Sequence, residues 1–240
     1  MKKLIILIIL FTTLSASKIS SILNTQTALF DEEKTYNINF TVYNMGGVNL
    51  RAGLTINSRF VLGVNQFVDN LIGYDNGTWY IPGVFLKIGL LDNPPESFNL
   101  AVSYDSFFNG SIKEYNGISY GISIINSKGF YLFSDLPHIV SLGIRFPLIP
   151  KEIRNFNEVN IFISSIFRIT KFLNINFELL NIYFTPNHNY TYLLNSEINY
   201  SISDSLSVIL YFELFREFNT EKLFNNKIGR ILRISYLNLF

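Results

Sequence analysis

The sequence contains no cysteine, so neither a disulfide framework nor a thiolate metal site is available to it. Charged residues are also scarce, at 15% of the 240 residues against about 25% in an average soluble domain. After residue 14, no apolar run approaches the roughly 18 residues that a membrane-spanning helix needs. Hydrophobic residues nevertheless make up 48% of the chain. These features exclude disulfide scaffolds, helical membrane proteins and disordered chains.

The N-terminal segment has the features of an export signal. Lys2 and Lys3 precede an apolar run over residues 4–11, and the small residues Ser15, Ala16 and Ser17 follow it. We predict that residues 1–17 are a cleaved signal peptide, since the run is too short for an anchor helix. No cysteine follows it, so the chain is not a lipoprotein. Cleavage leaves 17 basic against 18 acidic residues, which provides no general attraction for nucleic acid.

Most of the remaining chain alternates between apolar and polar residues. A period of two predicts β-strands, because successive side chains of a strand point to opposite faces. The clearest stretches are residues 36–42, 48–56, 140–146, 159–164, 173–179, 192–202 and 206–214. Tight turns are predicted at 45–47, 170–171 and 203–205, and longer links at 66–77, 147–158, 185–189 and 218–226.

Two all-β architectures fit this alternation: a soluble sandwich and a barrel in the outer membrane. The polar face of a sandwich meets water and should be rich in Lys, Glu, Thr and Arg. Here that face is mostly Asn, Ser and Gly, while the apolar face is rich in Ile, Leu, Phe and Val. Aromatic residues such as Trp79, Tyr80 and Tyr183 also lie near the ends of predicted strands. This pattern favours a lipid-facing barrel with a polar lumen and aromatic girdles.

The C-terminal segment resembles that of bacterial outer-membrane β-barrel proteins, whose last strand carries an assembly signal. Lys227, Gly229, Leu232 and Ile234 match the polar-x-Gly-x-x-apolar-x-apolar pattern, and Phe240 is the terminal aromatic residue. The resemblance implies the outer membrane as the location, with periplasmic chaperones and the barrel-assembly machinery as partners, the latter recognising the strand by edge pairing. Asn238 departs from the pattern, because an apolar residue is usual there.

The predicted fold is therefore an all-β, transmembrane up-and-down antiparallel β-barrel. At about 9–11 residues for each crossing, twelve strands are expected, with ten to fourteen allowed. The segment 48–67 is either one long strand or a hairpin around Asn57 and Ser58. Residues 18–34 are predicted to be a short periplasmic lead-in, and residues 35–240 the barrel, with outer-membrane lipid around it.

Nine charged residues are predicted to face the lumen. They are Arg51, Lys87, Asp105, Arg145, Arg168, Glu178, Glu197, Glu213 and Arg233. Their charges nearly cancel, which fits two hypotheses. Opposite charges could pair and plug the barrel, or they could line a narrow pore of weak ion selectivity.

The sequence offers little for catalysis or for a cofactor. His138 with Ser141 is the one suggestive pair, but residues three apart on a strand point to opposite faces. His138 follows Pro137, and His188 lies two residues after Pro186; both are predicted to be exposed turn residues. No cofactor or metal is expected. The first prediction is a small porin-like channel; a non-conducting structural or surface-binding (adhesin-like) barrel is second and an outer-membrane lipid-modifying enzyme third. The solute and the oligomeric state are left open.

Overall fold

The computed structural model describes residues 26–31, 33–43, 46–72, 77–108, 118–132, 136–149, 159–183, 191–217 and 225–239. Within these ranges the regular structure is entirely β. The strands are β1 (Thr35–Tyr43), β2 (Val48–Asn57), β3 (Phe60–Asp69), β4 (Thr78–Trp79), β5 (Gly83–Leu91), β6 (Asn99–Phe108), β7 (Ile118–Phe130), β8 (His138–Ile149), β9 (Asn160–Arg168), β10 (Leu173–Tyr183), β11 (Thr191–Ser201), β12 (Leu206–Glu217) and β13 (Asn225–Leu239). No helix in the described ranges has the length and hydropathy needed to cross a membrane.

The strands form one closed antiparallel sheet. Each long strand pairs with its neighbours in sequence, β1 pairs with β13, and β2 pairs with β3. The two-residue β4 pairs only with the end of β3, beside the pairing of β3 with β5. Twelve long strands therefore make a closed barrel, as the length of the chain predicted. The segment 48–67 is a hairpin, with Ser58 and Arg59 in its turn.

The barrel has two dissimilar ends. Thr35 at the start of β1 pairs with Leu239 at the end of β13, so both ends of the barrel chain meet at one rim, here called the termini end. The tight turns after β2, β9 and β11 lie there too. The links after β3, β6, β8, β10 and β12 lie at the opposite rim, the loop end, whereas the links after β5 (92–98) and β7 (131–137) lie at the termini end with the tight turns. On average the links are longer at the loop end. This asymmetry is typical of outer-membrane barrels, whose short turns face the periplasm.

The turn between β1 and β2 lies at the loop end, although its length resembles the tight turns at the termini end. Gly46 has a φ of 74°, which favours glycine, and its carbonyl accepts a hydrogen bond of 3.0 Å from the amide of Ile72. The segment after β3 therefore covers this turn.

The outer surface of the barrel is apolar. Ile163 on β9 is 41% exposed, whereas its neighbour Ser164 is 1% exposed, because alternate residues of a strand point outward and inward. The same holds around the barrel for Phe40, Leu54, Val64, Ile88, Ile124, Ile144, Phe177, Ile198, Leu210 and Leu232. Such a continuous exposed apolar surface is far larger than water-soluble monomers present.

Glycine on one strand faces a buried aromatic ring on the next. Gly143 lies directly opposite Phe162, and a Cβ atom at Gly143 would overlap the Phe162 ring. Gly63 and Phe85 form a second such pair. Both rings point into the barrel and are buried, so the missing side chain provides the space that each ring fills.

Replacing Gly143 with Ala should therefore destabilise the barrel by about 1–3 kcal/mol, because the Phe162 ring must leave its position. Urea unfolding in detergent micelles would measure this change. Phe162→Leu in the Gly143→Ala background should recover part of the loss. Equal stability of Gly143→Ala and the wild-type protein would contradict this account.

Candidate functional site

Six residues of the N-terminal segment lie inside the barrel. Residues 26–31, here called the strap, are all buried. The strap leads into β1 at the termini end and packs against the inner faces of β3 and β5–β9, with Asp31 nearest the termini end and Gln26 farthest from it. The sequence predicts a periplasmic lead-in over residues 18–34, whereas residues 26–31 lie inside the barrel and pack against its wall.

Gln26, at the end of the strap farthest from β1, reaches an ion pair between the buried Asp105 and the partly buried Arg51. The side-chain amide of Gln26 donates a 2.5 Å hydrogen bond to Asp105 on β6. The same carboxylate binds Arg51 of β2 with a separation of 3.0 Å. The Arg51 guanidinium also lies 3.8 Å from the centre of the Phe85 ring. Asp105 therefore links the strap to two strands of the wall.

The part of the strap nearer to β1, residues 28–30, contacts the wall through backbone hydrogen bonds and through the Phe30 ring. The amide of Ala28 donates a 2.8 Å hydrogen bond to Ser127 on β7. The Lys87 ammonium donates to the Leu29 carbonyl and lies 4.3 Å from the centre of the Phe30 ring. A buried cation requires such partners, because losing its water without replacement is costly. Lys87 is thus committed to the strap.

The wall under the strap is apolar, contrary to the expectation of a polar inner face. Ala28 and Phe30 pack with Val61, Phe85, Ala101, Ile125, Phe162 and Leu180, and Leu29 packs with Ile139 and Ile166. A signal for this surface exists in the sequence, where alternation fails and consecutive residues are apolar, as at Ile124 and Ile125. At such positions the inward-facing residue is apolar as well, because it contacts other protein residues, here the strap, rather than water.

The nine charged residues predicted to face the lumen are divided between regions of the wall. Arg51, Lys87 and Asp105 contact one another or the strap, as described above. Arg145 is half-buried and lies over Gly121 of the adjacent strand. Arg168 is buried at the end of β9, near the termini end. The remaining four, Glu178, Glu197, Glu213 and Arg233, are buried on β10–β13.

Asparagine and glutamate alternate on the inner face of β10–β12. Asn176 and Glu178 of β10 lie opposite Glu197 and Asn195 of β11, and Asn195 lies opposite Glu213 of β12. We call these five residues the Asn/Glu wall. The Asn176 amide donates to Glu197 at 2.7 Å, and the Asn195 amide donates to Glu178 at 2.8 Å.

Arg233 flanks the Asn/Glu wall on the side of β13. Its Nε donates a 3.1 Å hydrogen bond to Thr41 on β1, and its guanidinium lies 5.1 Å from the centre of the Tyr211 ring. Among the described inward-facing side chains of β10–β13, Arg233 is the one cation beside three carboxylates.

Aromatic residues narrow the loop end. The rings of Tyr43 and Phe67 have centres 5.7 Å apart, and Tyr80 lies 5.3 Å from Phe67. Tyr80 follows β4, outside the spanning strands. Its partial burial raises the pKa of its hydroxyl, and the Asp69 carboxylate adds to this rise.

A small polar cavity remains beside the strap. Its volume is about 20 Å³, which is room for about one water molecule. It is lined by Gln26, Asn37, Asn39, Arg51, Val61, Phe85 and Lys87. Polar groups thus remain accessible inside the barrel next to the segment that fills part of it.

The candidate catalytic pair does not form the arrangement that hydrolysis needs. His138 is buried at the start of β8 rather than exposed, and its Nδ1 accepts a 3.2 Å hydrogen bond from the amide of Arg168. Ser141 pairs with Ser127 at 2.7 Å. His188 lies outside the described residues. No group of three or more His, Asp or Glu side chains in the described ranges is placed to hold a metal ion.

The predicted assembly signal lies on β13, the strand that pairs with β1 to close the barrel. Leu232 and Ile234 point outward and are exposed, while Gly229 is buried opposite Glu213. The backbone of Lys227 pairs with that of Phe215. Phe240 lies outside the described residues.

The fold is similar to that of solved porins. The sequence matches no protein-family model and no curated protein. A solved structure described as "KdgM porin" aligns with a TM-score of 0.50 at 10% sequence identity, over 86% of this chain and 99% of that chain. A "NanC porin structure" aligns with a TM-score of 0.49, also at 10% identity, over 85% of this chain and 99% of that chain. The likeness to the KdgM porin shows the barrel fold.

Proposed function

We propose that this chain is an outer-membrane barrel that allows passive passage of small solutes through a lumen narrowed by the strap. The observation that carries the proposal is the closed barrel with an apolar outer surface and polar groups around a cavity inside. A barrel of eight strands is filled by its own side chains, and the lumen widens as strands are added. Twelve strands therefore leave room for a path beside the strap.

Two further observations support an outer-membrane location. The shortest turn, after β2, lies at the termini end, and the longest links, after β3, β6 and β8, lie at the loop end, as in outer-membrane barrels. The fold is that of a protein described as a porin. The predicted signal peptide provides the route out of the cytoplasm.

Planar-bilayer recording on the refolded mature protein tests the channel. Before recording, its migration in gels with and without boiling should show that a barrel has formed. We expect small, steady conductance steps, because the strap occupies part of the lumen. A folded barrel that inserts into bilayers without conductance steps would contradict the channel.

A non-conducting barrel is the second candidate, and the strap favours it. Buried apolar contacts on both sides of Phe30 and the backbone hydrogen bond of Ala28 are typical of a fixed core element. In that case the barrel would have a structural or surface-binding role. An adhesive role would depend on the longer links 66–77, 147–158 and 218–226, of which residues 73–76, 150–158 and 218–224 lie outside the described residues.

We further propose that β13 carries the signal for the barrel-assembly machinery. Replacing Gly229 with Trp, or deleting Phe240, should lower the amount of folded protein in the outer membrane. Gly229→Trp places a large side chain next to Glu213 inside the barrel. Heat-modifiable migration of isolated outer membranes measures the folded fraction.

Ser235→Ala, on β13 but at a position that the matched pattern does not specify, is the control for these two variants. If both test variants assemble as the wild-type protein does, β13 does not carry the signal.

A further inference from the structure

Backbone pairing contributes little to the attachment of the strap. Within residues 26–31, only Gln26 takes part in a β-bridge. The strands β5, β6 and β7 each pair with a neighbour on both sides, so their backbone groups are already used. The hydrogen bonds from the strap described above therefore end on wall side chains, those of Lys87, Asp105 and Ser127. Displacing the strap breaks mainly side-chain contacts and leaves the pairing of the twelve long strands in place.

The chain reverses its direction between the strap and β1. The strap runs toward the termini end, and β1 runs back from Thr35 at that rim. Lys34, the last residue before β1, has a φ of 57°, in the left-handed region that residues other than glycine rarely adopt. Lys34 is exposed and lies outside the strands. A change in the dihedral angles of this turn therefore moves the strap and leaves β1 in place, as in a hinge.

A single carboxylate holds the end of the strap that is farthest from this turn. Asp105 accepts a hydrogen bond from Gln26 and also binds Arg51 of β2. Arg51 stays beside Asp105 when Gln26 leaves, so opening does not strand a buried carboxylate without its counter-ion. Gln26 also lines the small polar cavity, where water can compete for the same hydrogen bond. We call the contact between Gln26 and Asp105 the latch.

The middle of the strap opposes opening. The Phe30 ring lies over Gly89 of β5, where a Cβ atom would be 2.9 Å from the ring. Phe30 and Leu29 also pack against the apolar inner surface of the wall. Exposing these two side chains to water costs free energy in proportion to their apolar area. The closed position is therefore the major state, and an open position is a minor one.

We propose that the strap is a gate for the lumen. It is hinged at Lys34, is latched by Asp105, and swings out toward the termini end, which uncovers the apolar inner surface that it occupies. The closed and open states exchange, and the strength of the latch sets their ratio. Gating of a current rests on the proposed channel function, whereas movement of the strap does not.

Labelling of buried thiols measures this movement without any current. The chain has no native cysteine, so one substitution introduces one reactive thiol. Ala28 is buried in the strap, and Ile209 is buried on the inner face of β12, in a cluster that the strap does not contact. In the protein refolded in detergent, Ala28→Cys should react with a water-soluble maleimide at least about tenfold faster than Ile209→Cys. Movement of the strap exposes the first thiol, whereas the second requires opening of the barrel.

Gln26→Leu tests the latch. It removes the donor to Asp105, keeps a side chain of similar size, and leaves the pair of Asp105 and Arg51 intact. Combined with Ala28→Cys, it should raise the labelling rate about tenfold, because a hydrogen bond to a charged group is lost from the closed state only. Combined with Ile209→Cys, it should leave the rate unchanged.

Ser207→Ala is the matched control for the latch variant. It removes a hydrogen bond to Ser201 from side chains of β11 and β12, away from the strap, and should not alter the labelling of Ala28→Cys. Gly89→Ala acts from the wall side and should accelerate labelling as Gln26→Leu does, because its methyl group displaces the Phe30 ring.

Two results would overturn the proposal: equal labelling rates for Ala28→Cys and Ile209→Cys, or an unchanged rate when Gln26→Leu is added to Ala28→Cys. Leu29→Cys, which removes volume from the strap, replaces Ala28→Cys if that variant does not assemble. Leu29 is buried as well, so the same expectations apply to it.

Bilayer recording tests whether the movement gates a current. We expect the wild-type channel to make brief excursions from a steady low conductance level to a higher one. Gln26→Leu should raise the ratio of time at the higher level to time at the lower level about tenfold, and Ser207→Ala should not change it. One unvarying level in the wild type and in Gln26→Leu would overturn the gate. Latch-dependent labelling in a barrel without any conductance would contradict the proposed channel and leave the movement of the strap established.

Discussion

Deleting residues 18–31 from the mature protein should raise its single-channel conductance severalfold. The strap fills the lumen between β3 and β9, where Phe30 and Leu29 pack against inward-facing apolar side chains. The twelve paired strands do not need the strap to close, because β1 pairs with β13 directly. Removing it should therefore leave a barrel with a wider path. Bilayer recording of the deletion variant beside the wild-type protein measures this change.

A peptide of residues 18–34 added back to the deletion variant is the control for this experiment. It should reduce the current when added at the termini end and have a weaker effect at the loop end, because the strap enters the lumen from the termini end. Unchanged conductance after deletion, in a barrel whose heat-modifiable migration is normal, would show that the strap does not limit the path.

Replacing Ile163 with Arg should destabilise the barrel by about 2–4 kcal/mol if the strand is placed at mid-membrane. Ile163 is at the centre of β9, points outward, and lies opposite Leu142 and Leu179 on the adjacent strands. A guanidinium at this position must enter hydrocarbon or distort the lipid around it. Urea unfolding of the protein refolded into lipid bilayers measures the free energy of unfolding.

Ile163→Ala serves as the matched control, since it shortens the side chain without placing a charge in lipid, and its cost should be much smaller. A similar cost for the two variants would mean that the loss comes from packing rather than from lipid contact. A change near zero for Ile163→Arg would contradict the outward orientation or the depth of β9.

The alternation of residues predicted the strands and their two faces well, because the direction of a side chain in a strand depends only on local geometry. It also predicted the number of strands, since each crossing needs a fixed length. It did not predict the inward apolar surface around Ile125 and Ile139. Alternation assigns a residue to a face but does not identify what that face contacts.

The same limit explains why the sequence did not predict the position of the strap. Nothing in residues 26–31 alternates over a length that would indicate a strand, so the sequence suggested a lead-in outside the barrel. Only the assembled structure brings Gln26 to Asp105, which are 79 positions apart in the chain. Contacts at such separation depend on the closure of the sheet.

By itself, the sequence determined an all-β chain with an outward apolar face and predicted an export signal and a C-terminal assembly signal, since these are local patterns of residue type. The tertiary structure decided which strands close the barrel, that residues 26–31 enter it, and how the charges of the lumen are divided. Near-equal numbers of positive and negative residues do not reveal that Arg51 and Lys87 lie with the strap while Glu178 and Glu197 lie on another wall. That division follows from strand register and closure, which bring distant segments to the same side of the lumen.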